Sequence, residues 1–363
     1  MPGRTKLTTT SPNTDPPAPH RRRPRYAGKH PRRFEEKYKE HNPARYPETL
    51  EKVLASGKTP AGAHRPVMLA EVLEILAPKP GQIAVDCTLG YGGHAHEILA
   101  RLQPGGRLLG MDVDPFELPK TEARLRAFGF GPDTFSVHHS NFAGLAQILV
   151  QAGLTGADIL LADLGVSSMQ LDDPSRGFST KHEGPLDMRM NPRRGQPASA
   201  LLQRLRPAAL QALLEEGADE PRAAELAVAL AGRAFATTSA LAGAVTAALP
   251  PMGKENHALA TRRVFQALRI AVNDEFSALE MFLRRLPDCL NPGGCVAILT
   301  FHSGEDRRVK KAFEAGAAAG AYAEISSEVI RPSAEERRAN ARSTAAKLRW
   351  ARKAPRAADA CRP

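Results

Sequence analysis

The residues with the clearest chemical signature lie in VDCTLGYGGH, residues 85–94, where an apolar run ends in closely spaced glycines. Gly90, Gly92 and Ala95 satisfy the spacing G-x-G-x-x-G/A, and the acidic Asp112 follows about twenty positions later. Glycines directly after a buried strand let a ligand approach the backbone, and an acid at this distance can bind ribose hydroxyls. The pattern predicts a site for a cofactor that carries an adenosine ribose.

The glycine pattern alone leaves the identity of the cofactor open. NAD, FAD and S-adenosylmethionine all combine an adenosine ribose with an anionic group that suits a helix N-terminus. The sequence has no G-x-x-x-x-G-K-[ST] motif, which excludes a P-loop for a nucleoside triphosphate. A tight turn without a ligand is a further alternative, and the position of Asp112 disfavours it.

Strands and helices alternate on either side of this loop. Apolar segments predict five strands, at residues 82–88, 106–114, 134–142, 158–165 and 295–306. Helical periodicity predicts helices at residues 65–78, 94–102, 119–128, 142–153 and 277–290, the last followed by a turn at 291–294. Strands separated by helices indicate an α/β fold with a parallel sheet and right-handed crossovers.

The alternation is interrupted between the fourth and fifth predicted strands. Residues 173–275 contain an arginine-rich loop followed by Ala/Leu-rich helical segments, which we interpret as an inserted all-α domain. One helix is expected to run through residues 261–283. Its apolar positions fall near one face and therefore indicate a core contact: Val264, Leu268, Val272, Leu279 and Phe282.

Positive charge is concentrated near the two ends of the chain. The net charge is +11; residues 1–60 hold 14 Lys/Arg against 6 Asp/Glu, and residues 331–363 hold 10 against 3. The arm at 1–60 has too few aliphatic residues to fold alone, and residues 354–363 are expected to form a disordered tail. Basic segments without an amphipathic apolar face favour RNA over a membrane as partner; solubilising tails are the alternative.

Several absences bear on the cellular compartment. No apolar run approaches the roughly 18 residues of a membrane span, and no signal-peptide core is evident near the N-terminus. The four cysteines, Cys87, Cys289, Cys295 and Cys361, have neither CxxC nor zinc-finger spacing, which predicts reduced thiols. A cytoplasmic protein is expected. Because the first 34 residues hold a single acid, Asp15, a transit peptide is the alternative to a disordered arm.

Longer blocks of sequence resemble one known family. They are DLGVSSMQLDDPSRGFS at 163–179, GPLDMRM at 184–190, ATRRVFQALRIAVN at 260–273, FHSGEDRRVK at 301–310 and ARSTAAKLR at 341–349, preceded by HRPV at 64–67 and EVLE at 71–74. In this order, over about residues 64–353, they resemble the small-subunit ribosomal RNA (cytosine-N4)-methyltransferases of the MraW/RsmH type.

This resemblance implies a fold and a division into domains. The fold would be a Rossmann-like class I S-adenosylmethionine-dependent methyltransferase with an inserted all-α domain. The methyltransferase domain would comprise residues 61–172 and 276–353, and the insert at 173–275 would recognise the substrate. Residues 1–60 lie outside the resemblance.

The resemblance also implies the cofactor, the reaction and the residues that bind. S-adenosylmethionine is the expected cofactor, with no metal. Seven residues match the family's cofactor site: Gly92, Gly93, His94, Asp112, Phe142, Asp163 and Gln170. The implied reaction is methylation of the exocyclic N4 of a decoding-centre cytosine in 16S rRNA. The expected partner is that RNA within the small ribosomal subunit, with a homodimer as one alternative for the assembly and no membrane.

The chemistry of an exocyclic amine narrows the catalytic candidates. Cytosine N4 is a weak nucleophile, so an enzyme must align it with the methyl group and accept its hydrogens. Such enzymes commonly carry Asn/Asp-Pro-Pro-aromatic after the fourth strand; Asp163-Leu-Gly-Val stands here, so the acceptors must differ. Asp163 and His302 are the expected catalytic residues, with Ser303, Glu305 and the carbonyls of residues 164–165 at the same sheet edge. Asp163 could equally orient the cofactor's ammonium group, and His302 could be a neutral core histidine.

Six arginines in or beside the insert suit contacts with RNA phosphates: Arg176, Arg189, Arg193, Arg194, Arg262 and Arg263. The alternative for each is a solvated or salt-bridged arginine. Phe178 is expected to anchor a loop rather than to stack on a flipped base. Ser167 and Ser168 are expected to cap the following turn.

The sequence departs from the family's pattern at a few positions. Gly304 and Arg308 stand where the family has apolar residues, and Ala345-Ala346-Lys347 replaces its S-A-K. These changes concern the RNA-facing rim rather than the cofactor site.

Two rival classes of function explain part of the sequence. An NAD-linked oxidoreductase explains the glycine loop and Asp112, but neither the basic ends nor the block that begins at Asp163. A non-catalytic RNA-binding protein explains the basic ends and leaves the cofactor pattern without a use.

Overall fold

The structure is a computed structural model that describes residues 66–355. The predicted arm at 1–60, most of the predicted tail at 354–363 and Cys361 lie outside the described residues. The described strands form a seven-stranded sheet: β1 Ile83–Asp86, β2 Arg107–Asp112, β3 Phe135–His139, β4 Ala157–Asp163, β5 Leu290–Thr300, β6 Tyr322–Ile325 and β7 Lys347–Lys353.

The strand order places a crevice at the middle of the sheet. The order is β3-β2-β1-β4-β5-β7-β6, in which β3 to β5 pair in parallel and β7 runs antiparallel to both of its neighbours. The direction of winding reverses between β1 and β4, so the loops after these two strands diverge and leave a crevice at their carboxyl ends. The predicted α/β fold with a parallel sheet is confirmed.

Helices cover both faces of the sheet. The helices are α1 Leu69–Leu76, α2 Gly93–Leu102, α3 Glu117–Ala127, α4 Leu145–Gln151, α5 Ser168–Asp172, α6 Ala198–Arg204, α7 Pro207–Ala218, α8 Ala223–Leu230, α9 Thr238–Ala248, α10 Lys254–Asn273, α11 Glu275–Cys289, α12 Ser303–Ala318 and α13 Ala334–Ala339. Within residues 66–355, none of the helices has the length and apolar character needed to cross a bilayer.

The strands are apolar throughout because both of their faces are buried. Along β4, Leu160 belongs to the cluster that α4, α11 and α12 complete, whereas Leu161 belongs to the cluster on the face of α1, α2 and α3. Consecutive residues of a strand point to opposite faces, so a strand covered on both sides reads as a continuous apolar run. This explains why the sequence identified β4 so readily.

Helices α6 to α10 share an apolar cluster of their own. It includes Leu202, Leu214, Leu226 and Leu241, and it is separate from the two clusters that cover the sheet. Where α7 meets α10, a Cβ atom on Gly217 would lie 3.0 Å from the Cα of Ala267, so glycine permits close packing there. These helices lie between β4 and β5, within residues 173–275.

The helix predicted for residues 261–283 is wrong as one element. The chain breaks at Asp274, which has a left-handed backbone (φ 52°) and separates α10 from α11. Val264 and Leu268 pack in the cluster of the insert, whereas Leu279 and Phe282 pack under the sheet. Periodicity did not reveal the break because both halves carry their apolar residues in a similar phase.

The C-terminal end of the sheet was not anticipated. β6 and β7 were not predicted, and residues 291–294, expected as a turn, are part of β5. β7 lies inside the sheet, and its Lys347 and Arg349 pair with Asp306 at 3.0 and 2.6 Å. Part of the basic segment 331–363 is therefore a folded strand with neutralised charges, not a free tail.

Candidate active site

A cleft of about 830 Å³ opens where β1, β2 and β4 end. It is bounded on one side by the glycine loop and on the other by α10 and a loop of the insert, residues 188–195, called the insert loop below. All seven predicted cofactor residues line it: Gly92, Gly93, His94, Asp112, Phe142, Asp163 and Gln170. Of the predicted RNA contacts, Arg189, Arg194 and Arg262 also line it.

The glycine loop leads from β1 into α2 by a path that a side chain would obstruct. Gly92 has φ 82°, and a Cβ atom there would lie 2.8 Å from Cγ2 of Thr121. The first N–H groups of a helix have no partner within the helix. At α2 these groups belong to residues that line the cleft, so they are available to an anionic ligand.

Asp112 is held rigidly beside this loop. Its carboxylate accepts the Gly90 N–H at 2.7 Å and the Asp114 N–H at 2.8 Å. Burial raises the pKa of Asp112 to about 6, although these hydrogen bonds oppose the rise. Two accepted bonds leave lone pairs on both oxygens, so the carboxylate can still accept hydroxyl groups from a ligand.

Asp114 is a buried anchor that the sequence analysis missed. It is 1% exposed, and its Oδ2 accepts Gln170 Nε2 at 2.9 Å and Arg176 Nη1 at 2.7 Å. Arg176 also donates to the carbonyl of Met190 at 2.8 Å. The charge of Arg176 is thus already neutralised, and its structural role is to tie the insert loop to the end of β2. The only feature of the sequence that could have indicated this role is that Asp114 is the second acid of an Asp-Val-Asp motif.

Gln170 also takes part in local structure. Its Oε1 accepts the Ser167 N–H at 3.0 Å, while Ser167 Oγ accepts the Gln170 N–H at 3.2 Å. This reciprocal capping box begins α5 and confirms the predicted cap at Ser167. Gln170 therefore shapes the cleft wall through both ends of its amide.

Asp163 forms the part of the cleft floor where β4 ends. Its side chain is 27% exposed, and its Oδ1 is buried without a hydrogen-bond partner among the described residues. Burial raises the pKa of Asp163 to about 8, and the nearby carboxylates of Asp86 and Glu305 add to the rise. Asp163 therefore offers an unsatisfied oxygen whose proton affinity lies near neutral pH.

His94 faces Asp163 across the start of α2. Its Nε2 lies 3.0 Å from the carbonyl oxygen of Val67, which can only accept, so Nε2 carries the hydrogen in the neutral ring. Its Nδ1 lies 3.8 Å from Asp163 Oδ2. Burial lowers the pKa of His94 to about 4, so the ring is neutral and turns a lone pair toward Asp163.

The raised pKa of Asp163 makes stability depend on pH. Between its ordinary pKa of 3.8 and about 8, the folded state holds a proton that the unfolded chain has lost. The stability from this proton is complete below pH 3.8 and is lost as pH rises through about 8. We expect the free energy of unfolding to fall by about 1 kcal/mol from pH 6.5 to 8. In urea denaturation, the free energy of unfolding of Asp163→Asn should fall less steeply with pH than that of the wild type. An equally steep fall in the variant would contradict the raised pKa assigned to Asp163.

The second predicted catalytic residue, His302, lies elsewhere. It caps α12, its ring centroid lies 5.8 Å from that of Phe276, and its Nε2 lies 3.1 Å from Glu305 Oε1. The cleft at this point is lined by Phe301 and Glu305. Burial would raise the pKa of Glu305, but His302 and Arg269 beside it bring the pKa below its ordinary value. His302 is placed to orient Glu305 rather than to contact a ligand.

The six predicted RNA-binding arginines fall into two groups. Three have carboxylate partners: Arg176 with Asp114, Arg189 with Asp187 at 2.7 Å, and Arg263 with Glu220 at 3.7 Å. The other three, Arg193, Arg194 and Arg262, are exposed, and residues 66–355 provide no carboxylate partner for them. Phe178 is 7% exposed within the insert's cluster, in agreement with its predicted role as a loop anchor.

The departures at Gly304 and Arg308 are structurally coupled. The Arg308 guanidinium lies 3.6 Å from the ring centroid of Phe276 and pairs with Glu216 of α7 and Glu280 of α11. A Cβ atom on Gly304 would lie 2.7 Å from the same ring. Glycine at 304 therefore leaves room for the aromatic ring on which Arg308 stacks while it joins α12 to the insert.

The strand order and the position of the cleft define the class of protein: the fold is a Rossmann-like class I S-adenosylmethionine-dependent methyltransferase fold. The model of the MraW methylase family matches residues 61–354, and the chain belongs to that family. The resemblance drawn from the sequence motifs is confirmed.

Relatives support the same assignment over nearly the whole chain. The protein is 47% identical to "Ribosomal RNA small subunit methyltransferase H 1" of Lachnoclostridium phytofermentans, over 96% of this chain and 97% of that protein. It is 47% identical to the protein of the same name in Agathobacter rectalis, over 92% of this chain and 97% of that protein. It is 48% identical to "Ribosomal RNA small subunit methyltransferase H 2" of Alkaliphilus metalliredigens, again over 92% of this chain and 97% of that protein.

Proposed function

We propose that the protein transfers the methyl group of S-adenosylmethionine to the exocyclic N4 of a cytosine in the 16S rRNA of the small ribosomal subunit. The observation that carries this proposal is a single cleft that combines two kinds of site. One part has the glycine loop and Asp112, as a nucleoside cofactor requires; the other has Asp163, a partly buried carboxyl group that lines the cleft and whose pKa is raised to about 8. The proposed substrate matches the names of the relatives, which specify ribosomal RNA of the small subunit.

The residues present fit S-adenosylmethionine. Asp112 would accept the ribose hydroxyls, the N-terminus of α2 from Gly93 would receive the carboxylate, and Phe142 would contact the adenine. The Phe142 ring is fixed by an edge contact with Phe282, 5.5 Å between centroids. When bound, the cofactor supplies a methyl group on a positively charged sulfonium. Its cationic groups would suit the carboxyl groups of Asp112 and Asp163, which line the cleft and pair with no Lys or Arg side chain among residues 66–355.

Asp163 is the proposed proton acceptor. Cytosine N4 becomes a competent nucleophile only as its lone pair leaves conjugation with the ring, and the nitrogen must lose a proton when the N–C bond forms. The Asp163 side chain is 27% exposed and lines the cleft, and a base is most effective when its pKa lies near the working pH. A positive charge bound nearby lowers the pKa of the carboxyl and releases its proton, which prepares Asp163 to accept one from N4.

Methylation at a ring carbon is disfavoured by the state of Cys87. Attack on a pyrimidine ring calls for a thiolate, and Cys87 is the cysteine that lines the cleft within residues 66–355. It is 1% exposed, and burial raises its pKa well above the ordinary value of 9.0. A thiol that is neutral and inaccessible does not serve as a nucleophile, which disfavours attack on a pyrimidine ring carbon.

The position of the insert favours a large, structured RNA as the substrate. It walls the cleft from the side opposite the glycine loop and contributes Arg194 and Arg262, which have no carboxylate partner among the described residues. A cytosine extruded from structured RNA would enter such a cleft with its phosphates at the arginine-bearing rim. A freely diffusing nucleoside would leave these arginines without a ligand.

Two measurements test the cofactor and the substrate separately. In thermal-shift titrations, S-adenosylmethionine should raise the melting temperature and NAD should not. With methyl-labelled cofactor, unmethylated small subunits should be labelled while free cytidine is not. Stabilisation by NAD alone would support the oxidoreductase alternative, and equal labelling of free cytidine would remove the role proposed for the insert.

A further inference from the structure

An exposed aromatic ring stands beside an exposed arginine at the rim of the cleft. Phe116 is 45% exposed and lies two residues after Asp114 and directly before Glu117, both of which line the cleft. The guanidinium carbon of Arg193 lies 5.6 Å from the centroid of the Phe116 ring. Val150, Val228, Leu259 and Met281 are the other large apolar residues exposed in residues 66–355, so Phe116 is the exposed aromatic one.

Both partners are held in place by buried contacts. The Phe116 N–H donates to Asp114 Oδ1 at 2.9 Å, and Asp114 is itself fixed by Arg176 and Gln170. The insert loop, which carries Arg193, is anchored by Asn273, whose side chain accepts the Met190 N–H at 2.7 Å and donates to the Met188 carbonyl at 2.8 Å. A ring and a cation fixed before binding lose little conformational entropy when a ligand arrives.

The positive charge at this rim is not cancelled locally. Three carboxylates close to Phe116 or Arg193 in the chain are each paired: Asp114 with Arg176 at 2.7 Å, Glu117 with Lys120 at 2.8 Å and Asp187 with Arg189 at 2.7 Å. In the described part of the chain, no carboxylate pairs with Arg193 or Arg194. The rim therefore presents an apolar ring next to Arg193, and the following residue, Arg194, lines the cleft; neither arginine has a carboxylate partner in the described part of the chain.

We propose that Phe116, Arg193 and Arg194 form a platform for an unpaired nucleotide of the RNA, beside the nucleotide that enters the cleft. A base would stack on the Phe116 ring, and the arginines would contact the adjoining phosphates. Extrusion of a base leaves its neighbours unstacked, and aromatic side chains next to arginines bind such bases. This inference rests on the proposed function and identifies a second RNA contact for it.

The test compares variants of the full chain for binding to unmethylated small ribosomal subunits. Phe116→Ala should weaken binding by about five- to a hundredfold, because base stacking on an aromatic residue contributes that much. Phe116→Trp should retain wild-type affinity. Val150→Ala, which removes an exposed apolar side chain elsewhere, is the control and should have no effect.

Salt dependence and cofactor binding distinguish the two parts of the platform. Arg193→Ala should reduce the slope of log affinity against log salt by about 0.7 to 0.9, whereas Phe116→Ala should lower affinity at every salt concentration with the slope unchanged. S-adenosylmethionine affinity should be the same in all variants. Ultraviolet crosslinking should attach an RNA nucleotide to the peptide that contains Phe116.

Three results would overturn the platform. Subunit binding by Phe116→Ala that equals Val150→Ala would remove the stacking role. A parallel loss of cofactor affinity would assign Phe116 to the cofactor site, and a crosslink to a ribosomal protein would assign it to a protein contact. A different result would overturn the proposed function itself: the wild-type protein would not transfer the methyl group.

Discussion

Replacement of Asp163 by Asn should lower the rate of methyl transfer to small subunits by about a hundred- to ten-thousandfold, the range that a general base contributes. The amide keeps the size of the side chain but cannot take a proton from the reacting amine. In the wild type, kcat/KM should rise with pH and level off above about 8, because Asp163 in the free protein must lose its proton first. The Asp163→Asn variant should lack this rise of kcat/KM with pH. Steady-state measurement of kcat/KM for S-adenosylmethionine across pH would show both effects.

The matched control for this prediction is His302→Asn. Asparagine preserves the cap of α12, which His302 provides by accepting the Glu305 N–H. Because His302 contacts Phe276 and Glu305 and does not line the cleft, its replacement should cost far less activity. If His302→Asn were as impaired as Asp163→Asn, the assignment of the proton acceptor to Asp163 would be wrong.

Replacement of Asp112 by Ala should weaken S-adenosylmethionine binding by about ten- to a hundredfold. Hydrogen bonds from ribose hydroxyls to a carboxylate contribute about 1.5–3 kcal/mol, and each 1.4 kcal/mol corresponds to a factor of ten. The pKa of about 6 means that the carboxylate is ionised at neutral pH and able to accept both hydroxyls. Titration calorimetry at neutral pH measures the effect directly.

Two further variants separate cofactor binding from folding. Gly90 and Asp114 donate their N–H groups to different oxygens of Asp112, so Asp112→Asn retains an acceptor for only one of them and should show an intermediate loss of affinity. Asp133→Ala, which removes an exposed acid from the loop before β3, should bind like the wild type. Unchanged affinity in a folded Asp112→Ala protein would eliminate the ribose contact.

The sheet was predictable where the signal is local. β1 to β5 are short apolar runs bounded by turn residues, and each helix between them has its own period. The break at Asp274 was not predictable in this way, because α10 and α11 remain in phase while they pack in different clusters. β7 was also hidden, since its charged residues Lys347 and Arg349 face Asp306 and resemble a solvated basic segment in the sequence.

The site shows the same division between local and long-range signals. The glycine loop and Asp112 are readable because a fixed spacing encodes them, and the structure brings them to one cleft. The sequence could not show which arginines lack a carboxylate partner. Arg176, for example, pairs with Asp114, which lies 62 positions away in the chain. The role of Asp114 was missed for the same reason. Contacts between distant segments depend on the assembled fold and leave no periodic trace.

In the proposed function, Asp163 and the cofactor cleft act together on the exocyclic amine of an RNA cytosine. The most direct test is to incubate the protein and labelled S-adenosylmethionine with unmethylated small subunits, digest the RNA and identify the labelled nucleoside by mass spectrometry. We expect N4-methylcytidine from a single position in 16S rRNA, formed by Asp163→Asn at a rate about a hundred- to ten-thousandfold lower under the same conditions. Label at a ring carbon, at a ribose 2′-oxygen or only on protein would contradict it.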